Sequence, residues 1–254
     1  MKDRKRCNYS LTSPKFDVKM TKSGFKFKQF FIAHDQCAMK VNTDGILLGA
    51  MAEVNNAKRI LDLGTGTGLI AIMLAQRTTE DCKITALELE PNAYQQAVEN
   101  AQYSTWADRI AVQQGDVLTI VFAEKFDLIV SNPPYFSGSL ASKNATRDLA
   151  RSATQSHLAW LMQAKKWLAE TGKMSFILPT QEAEKLLVQS QTSGLFCTEI
   201  CKIITKAGQI PKRMILTFMY QNQPRRESEL VVYDEQNQYT SAFVTLTQDF
   251  YLKM

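Results

Sequence analysis

The segment 131–136 reads Ser-Asn-Pro-Pro-Tyr-Phe and carries residue types suited to chemistry on a weakly nucleophilic nitrogen. An amino group conjugated to a carbonyl or a ring has a delocalised lone pair, so it needs hydrogen-bond acceptors for its N–H groups and not a base. The Asn132 side-chain carbonyl and the main-chain carbonyl of Pro133, held by the following Pro134, would accept both bonds in a fixed geometry. We therefore assign these three residues to catalysis.

Two aromatic residues follow the prolines. Tyr135 or Phe136 would stack on a planar ring brought to this segment, so we place Tyr135 with the catalytic residues and Phe136 with the substrate-binding residues. The alternative is a rigid turn, which Asn-Pro-Pro sequences after a strand commonly form. Residues upstream decide between these two interpretations.

The run Phe126 to Val130, which precedes this segment, is apolar and β-branched, which predicts a buried strand ending at Ser131. Open α/β sheets place their active sites at the carboxyl ends of such strands. Asn132 would therefore lie where chemistry is expected.

A glycine-rich turn joins an earlier predicted strand to its helix, in the sequence Leu61-Asp-Leu-Gly-Thr-Gly-Thr-Gly68. Glycines let the backbone turn tightly and approach a ligand, while the following helix presents free N–H groups. A dinucleotide site is the competing interpretation, because glycine spacing alone is a weak signal. The candidate cofactor residues of this turn are Gly64, Thr65, Gly66 and Gly68.

Acidic residues stand at the ends of three successive predicted strands, at Asp62, Glu88 and Asp116. Asp62 would meet an ammonium group, Glu88 would hold ribose hydroxyls, and Asp116 would accept from an adenine amino group. The alternative for each is a helix or turn cap. Three carboxylates and a G-x-G-x-G spacing suit a cationic ligand without phosphates, which describes S-adenosylmethionine.

The order of predicted elements indicates an α/β fold, Rossmann-like, with a mostly parallel seven-stranded sheet, helices on both faces and an antiparallel C-terminal hairpin. We expect a flexible basic arm over 1–22 and a single domain over 23–254. Helices are predicted after Thr43-Asp44 and at 69–76, 91–102, 157–168 and 181–193. Strands are predicted at 59–63, 84–87, 110–112, 126–131, 173–178, 198–205 and 213–220.

Positive charge is concentrated at the start of the chain. The net charge is +5, yet residues 1–28 carry nine lysines and arginines against two acids. Such a segment is either a solvated tail or a nucleic-acid contact, and Lys26 and Lys28 are the candidate RNA-binding residues.

The remaining composition indicates a soluble cytoplasmic protein. The chain has neither an apolar run long enough to span a membrane nor a signal peptide. The five cysteines are scattered and suggest reduced thiols without a metal site. We expect a monomer that uses no metal.

The motifs at Asp62, Glu88, Gly115-Asp116 and Asn132 to Tyr135, in this order, resemble the class I methyltransferases that alkylate exocyclic or amide nitrogens. Residues 25–30, 34–41 and 43–49 and the ending Asp-Phe-Tyr-Leu-Lys-Met are similar to bacterial tRNA (adenine-N(6))-methyltransferases, which modify the adenine beside the anticodon of a valine tRNA. The resemblance covers residues 24–254. It implies S-adenosylmethionine as the cofactor and tRNA as the partner.

The same resemblance implies further roles. Thr43 and Asp44 would approach the methionine end of the cofactor. Arg147 and Arg151 stand for the basic residue that usually follows the target-base segment.

Three other functions stay open. A protein glutamine methyltransferase faces the same lone-pair problem, but it carries a helical recognition domain where this chain has a basic arm. A DNA adenine methyltransferase would need additional residues to recognise its DNA target. A non-catalytic RNA-binding protein would not need the acidic strand ends and Asn132.

Overall fold

The computed structural model describes residues 23–37, 39–134 and 156–253. The predictions made for the arm 1–22 and for Tyr135, Phe136, Arg147 and Arg151 lie outside these ranges. The helices are α1 Thr43–Met51, α2 Leu69–Arg77, α3 Pro91–Tyr103, α4 His157–Lys165, α5 Thr180–Gln189 and α6 Ser241–Thr247. The strands are β1 Gly24–Lys26, β2 Phe31–Ala33, β3 Arg59–Leu63, β4 Lys83–Glu88, β5 Ile110–Gln114, β6 Phe126–Ser131, β7 Leu168–Pro179, β8 Phe196–Lys206, β9 Arg213–Met219 and β10 Arg226–Tyr233.

One large sheet has the strand order β10-β8-β9-β7-β6-β3-β4-β5. Every neighbouring pair is parallel except those of β9, which runs antiparallel to both β7 and β8. The predicted Rossmann-like fold and its antiparallel hairpin are therefore confirmed. The described sheet has eight strands and not the seven predicted.

The additional strand, β10, pairs in parallel with β8 at the edge of the sheet. It was missed because its first residues, Arg226-Glu-Ser-Glu, are charged or polar and exposed. Charged residues of this kind protect an edge strand from pairing with other chains. Here Arg226 forms an ion pair with Glu199 of β8, and Glu227 lies 3.8 Å from the Lys202 ammonium.

The helix predicted to reach residue 168 ends at Lys165, and the next strand starts three residues later. Leu168 pairs with Phe126 of β6, and the Phe126 N–H donates to the Trp167 carbonyl at 2.8 Å. Gly172 lies inside β7, near a register shift in its pairing with β6. A β-carbon there would come within 2.9 Å of the Phe126 carbonyl, so glycine permits the close approach of the two strands.

Helices cover both faces of the sheet because neighbouring strand residues point to opposite sides. Ile60 of β3 lies in one core cluster with α1 and α2, whereas Leu61 lies in another with α4 and α5. The β1–β2 hairpin joins the first cluster through Phe27 and Phe30, whose rings stack at 4.5 Å.

The candidate site residues follow the carboxyl ends of the parallel strands, and we call this side of the sheet the carboxyl edge. Leu63, Glu88 and Ser131 end β3, β4 and β6 there. Because β9 is antiparallel, it begins at the same edge, with Arg213 opposite Pro179 of β7.

Candidate active site

The glycine-rich turn requires backbone conformations that favour glycine. Gly64, Gly66 and Gly68 have φ values of 69°, 57° and 81°. At Gly64 a β-carbon would also lie 3.0 Å from the Trp160 indole. The N–H groups of Gly64 and Thr65 both donate to the Leu87 carbonyl, at 2.9 and 3.0 Å, which fixes the turn against β4.

Glu88 is held by main-chain groups at the end of β4. Its Oε2 accepts from the Gly66 N–H at 2.8 Å, and its Oε1 accepts from the N–H groups of Leu89 and Glu90 at 2.9 Å. The carboxylate thereby ties the glycine turn to the next strand end. Its partly exposed position leaves it accessible to a ligand.

Asp62 is completely buried behind the glycine turn. Its Oδ2 accepts from the Thr65 hydroxyl at 2.5 Å and from the Ala71 N–H at 3.2 Å, whereas its Oδ1 has no partner. Burial raises the pKa of this carboxyl to about 7, against the opposing hydrogen bonds from Thr65 and Ala71. A buried acceptor without a partner is costly, so a cationic donor beside it would be stabilising.

Asp116 follows β5 and caps the turn that it begins. Its Oδ1 accepts from the Leu118 N–H at 2.8 Å, and its carbonyl accepts from the N–H groups of Thr119 and Ile120. The residue also lines the main cavity of the site. Turn capping and ligand contact are therefore compatible at this position.

Asn132 lies between two adjoining cavities of about 310 and about 40 Å³, and it lines both. We call these cavities together the crevice. They share Met39, Gly64, Gly66 and Asn132, and the larger one also contacts Glu88, Asp116, Pro134 and Trp160. A ligand seated on the glycine turn would therefore touch Asn132.

The Asn-Pro-Pro segment is anchored from both sides. Before it, the Ser131 hydroxyl donates to the Leu63 carbonyl at 2.8 Å, which joins the ends of β6 and β3. After it, the buried His157 bonds the main chain of Pro134 and lies 3.5 Å from a Glu182 carboxylate oxygen. Burial lowers the pKa of His157, although Glu182 and Pro134 oppose the shift, so the ring is a neutral structural partner at neutral pH.

A buried amide on α3 connects the glycine turn to the segment that follows β2. Asn100 accepts from the Ala33 N–H at 3.0 Å and donates to the carbonyls of Ala33 and Thr67 at 2.8 Å. Nearby, the Gln36 N–H donates to Gln96 at 2.9 Å. These bonds hold the segment that carries Cys37 and Met39 against the crevice.

Comparison with known proteins places this geometry in a family. Residues 41–191 match the family model described as methyltransferase small domain. The chain is 70% identical over 236 residues to the tRNA1(Val) (adenine(37)-N6)-methyltransferase of Actinobacillus pleuropneumoniae serotype 7 (strain AP76), covering 92% of this chain and all of that protein. It is 60% identical to the enzyme of the same name from Glaesserella parasuis serovar 5 (strain SH0165), covering 91% of this chain and 98% of the relative. The chain belongs to this methyltransferase family.

The fold agrees with this assignment to the tRNA1(Val) (adenine(37)-N6)-methyltransferase family. A solved structure of a predicted O-methyltransferase from Agrobacterium tumefaciens superposes with a TM-score of 0.64 at 22% identity, covering 82% of this chain and 96% of the other. Class I methyltransferases of this fold use S-adenosylmethionine. The crevice fits this cofactor, because Gly64 has no room for a side chain and the Asp62 oxygen without a hydrogen-bond partner, buried behind the glycine turn, suits an ammonium group.

Not all predicted residues line the crevice: Asp62, Gly68 and Pro133 are buried next to residues that do, and two further pairs lie elsewhere. Thr43 and Asp44 line a different cavity, on the other side of the start of α1, where Asp44 forms an ion pair with Arg213 at 2.8 Å. Their neighbours Asn42 and Gly45 line the crevice instead. Asn42 is also the helix cap, since its side chain accepts from the Gly45 N–H at 2.9 Å.

Lys26 and Lys28 are exposed on the β1–β2 hairpin, away from the residues that line the crevice. The Lys28 ammonium donates to the Gln248 carbonyl at 2.5 Å. The hairpin therefore contributes a positive surface, and not a contact to the cofactor.

Several crevice residues were not found from the sequence. Trp160 lines the larger cavity beside Gly64, and Cys37 and Met39 line the same cavity. The segment 34–41 was noticed only as a resemblance, and it gave no role to single residues. Nothing in the pattern of α4 distinguished Trp160 from an ordinary core residue.

The described ranges contain neither a cluster of metal-ligating side chains nor a membrane-spanning helix. The side chains placed there form no group of three or more His, Cys, Asp or Glu able to hold a metal ion. None of the helices in these ranges has the length and apolar character of a transmembrane segment.

Proposed function

We propose that this chain transfers a methyl group from S-adenosylmethionine to the exocyclic amino nitrogen of an adenine in tRNA, at position 37 beside the anticodon of a valine tRNA. The close relatives carry this activity in their names. The observation that carries the proposal is that Asn132 lies at the junction of the two cavities that surround the glycine turn.

The cofactor roles follow from the crevice. Glu88 would hold the ribose, and Asp116 would hold the adenine of the cofactor. Gly64, Thr65, Gly66 and Gly68 would form the turn against which it lies, and Asp62 would pair with its ammonium group. Thr43 and Asp44 stay outside this set, because the cavity they line is separate from the crevice.

S-adenosylmethionine supplies, when bound, a methyl group on a positively charged sulfur. The Asn132 side-chain carbonyl and the Pro133 carbonyl would accept the two N–H bonds of the target amine and so direct its lone pair. A carbon–sulfur bond would break as a carbon–nitrogen bond forms, and the surplus proton of the amine would leave to water. The positive charge would pass from sulfur to nitrogen and leave with that proton, so no new charge has to be created and the chain's main contribution would be positioning.

The target adenine must leave its stack to reach Asn132, which costs unstacking energy. Tyr135 and Phe136, which directly follow Pro134 in the sequence, would replace that stacking. Each stacked base is worth about 1–3 kcal/mol by this means.

Positive side chains would hold the rest of the tRNA. We assign Lys26, Lys28, Arg147 and Arg151 to the RNA backbone, together with the arm 1–22. We further propose a monomer with one methyltransferase domain over 23–254 that acts in the cytoplasm, where its tRNA is found.

The test is methyl transfer from labelled S-adenosylmethionine to bulk tRNA prepared from cells that lack this modification, followed by nucleoside analysis. The proposal expects the label in N6-methyladenosine next to the anticodon of a valine tRNA. Label in protein glutamine, or in no product, would refute it.

A further inference from the structure

A second cavity lies on the carboxyl edge, next to the crevice and separated from it by the start of α1. It has a volume of about 170 Å³. Asn42 and Gly45 line the crevice, whereas the intervening Thr43 and Asp44 line this second cavity. We call it the tyrosine pocket and define it by Asp44, Lys212, Arg213, Tyr233, Tyr239 and Phe243.

The walls of the tyrosine pocket are aromatic. Tyr233 and Tyr239 stack with ring centroids 4.8 Å apart and planes 22° apart, and Tyr239 stacks on Phe243 with the same separation. Phe243 is buried, but Tyr239 is 40% exposed. Tyr239 is the middle ring of this stack, so its exposed part is the ring edge, and an aromatic edge is a favourable partner for the face of a nucleobase.

The rim of the pocket is positively charged. Arg213 neutralises Asp44 through an ion pair at 2.8 Å, so the acid does not repel an anion. Lys212 is exposed and makes no ion pair with any residue that the structure describes. Lys206, at the end of β8, donates to Asn237 at 2.8 Å in the turn before Tyr239. A lysine that lines a pocket together with aromatic rings can hold a phosphate while the base contacts the rings.

We propose that the tyrosine pocket binds a second unstacked nucleotide of the same tRNA while the target adenine occupies the crevice. This inference rests on the proposed function, because it names a further contact of the same substrate. The face of the base packs against the exposed edge of Tyr239, and the phosphate contacts Lys212. The positive arm 1–22 is a poor alternative occupant, because the rim carries the same sign of charge.

The experiment measures binding of anticodon stem-loop RNA to the full chain with S-adenosylhomocysteine present. In a series of RNAs, each loop nucleotide other than the target adenine is replaced in turn by an abasic one. With wild-type protein, one such replacement should weaken binding about 2- to 10-fold. In Tyr239→Ala the same replacement should have no further effect, whereas Tyr239→Phe should retain the full effect.

Two matched controls keep the result specific. Tyr103, 43% exposed at the far end of α3, resembles Tyr239 in exposure, so Tyr103→Ala should keep the full abasic effect. Lys83 is an exposed lysine at the start of β4, on the opposite edge of the sheet. Lys212→Ala should weaken RNA binding several-fold more than Lys83→Ala, and this comparison serves even if Tyr239→Ala does not fold.

The outcomes separate this proposal from the proposed function. Methyl transfer to the unsubstituted stem-loop is measured in the same wild-type samples. Two outcomes would overturn only the proposal for the tyrosine pocket. In the first, methyl transfer occurs but no abasic replacement has an effect on binding that depends on Tyr239. In the second, Lys212→Ala and Lys83→Ala weaken RNA binding equally. Absence of both transfer and RNA binding would overturn both proposals.

Discussion

The two ends of the carboxyl edge hold their polar groups in different ways. In the crevice, main-chain N–H groups bind the carboxylates, as at Glu88, which accepts from three of them, and at Asp116. In the tyrosine pocket, side chains bind one another, as in the pair of Arg213 and Asp44, and Lys212 stays exposed.

This difference matches the ligands proposed for each end. A small cationic ligand is bound best by groups that are already fixed, because little ordering is lost on binding. A polyanion such as RNA is attracted by exposed cations, and such attraction weakens with salt. The crevice should therefore be sensitive to changes of geometry, and the other end to changes of charge.

The largest effect is expected for Asn132→Ala, which removes an acceptor from the target amine. Methyl transfer should fall by at least about 100-fold, because the nucleophile is no longer held in line with the methyl group. Cofactor affinity should change little. Single-turnover rates and equilibrium dialysis measure the two quantities. Near-normal methyl transfer in Asn132→Ala would show that Asn132 is not catalytic. Asn222→Ala, in the exposed turn before β10, is the control.

The next effect compares two glycines with the same backbone conformation at opposite ends of the sheet. At Gly64, with φ 69°, an added β-carbon would lie 3.0 Å from the Trp160 ring, whereas at Gly208, with φ 79°, it would meet open space. Alanine at either position should cost about 1–2 kcal/mol of stability through backbone strain. Only Gly64→Ala should also weaken cofactor binding, by at least about tenfold, or ~1.4 kcal/mol.

Thermal unfolding and cofactor titration of both variants test this comparison. Equal losses of cofactor affinity in Gly64→Ala and Gly208→Ala would show that strain alone, and not the space at Gly64, matters.

A pH effect is expected from Asp62, because burial raises its pKa to about 7. An ammonium group pairs only with the ionised carboxylate, so cofactor affinity should fall as the pH drops below 7, by up to about tenfold per pH unit. Asp62→Asn should bind weakly at every pH. Asp127→Asn, on the opposite edge, should keep the wild-type profile; a flat wild-type profile would contradict the pairing.

The raised pKa of Asp62 also affects the stability of the cofactor-free protein, in the opposite direction to its effect on cofactor affinity. The folded pKa of Asp62 lies above the unfolded value of about 3.9, so the cofactor-free protein should lose stability as the pH rises from about 4 to about 7. Asp62→Asn should remove this loss. Urea unfolding at several pH values measures it, and equal pH dependence in both proteins would contradict it.

The smallest effect is expected for the exposed lysines of the β1–β2 hairpin. Replacing Lys26 and Lys28 by alanine should weaken tRNA binding several-fold. The magnitude of the slope of the logarithm of the binding constant against the logarithm of the salt concentration should fall by up to about two, because each lysine would contact one phosphate. Replacing Lys58 and Lys83, at the opposite edge, removes the same charge and should leave the slope unchanged. An unchanged slope in the hairpin variant would exclude the hairpin from the interface.

The crevice end was largely predictable from the sequence because main-chain geometry dictates its residue types. The glycines are required by positive φ values, and the acids stand at strand ends that hydrophobic runs locate. Trp160 was not predictable, because its role depends on how α4 crosses the glycine turn. Thr43 and Asp44 line the cavity on the other side of α1, which helix position alone could not predict, because it does not say which residues face the crevice.

The tyrosine pocket was harder to predict because charged and aromatic side chains from distant parts of the chain form it. β10 begins with charged residues and gave no strand signal, and α6 was not expected at all. Tyr239 and Arg213 line the same pocket because β8 pairs with both β9 and β10. Side chains that converge from distant elements leave no local pattern.

The most direct test of the central claim is a crystal structure with S-adenosylhomocysteine, the unreactive product of the donor. The account expects its adenosine between Glu88 and Asp116, its ammonium group at Asp62, and its sulfur facing Asn132. A ligand bound elsewhere, or with Asn132 on the far side of the glycine turn from the sulfur, would contradict it.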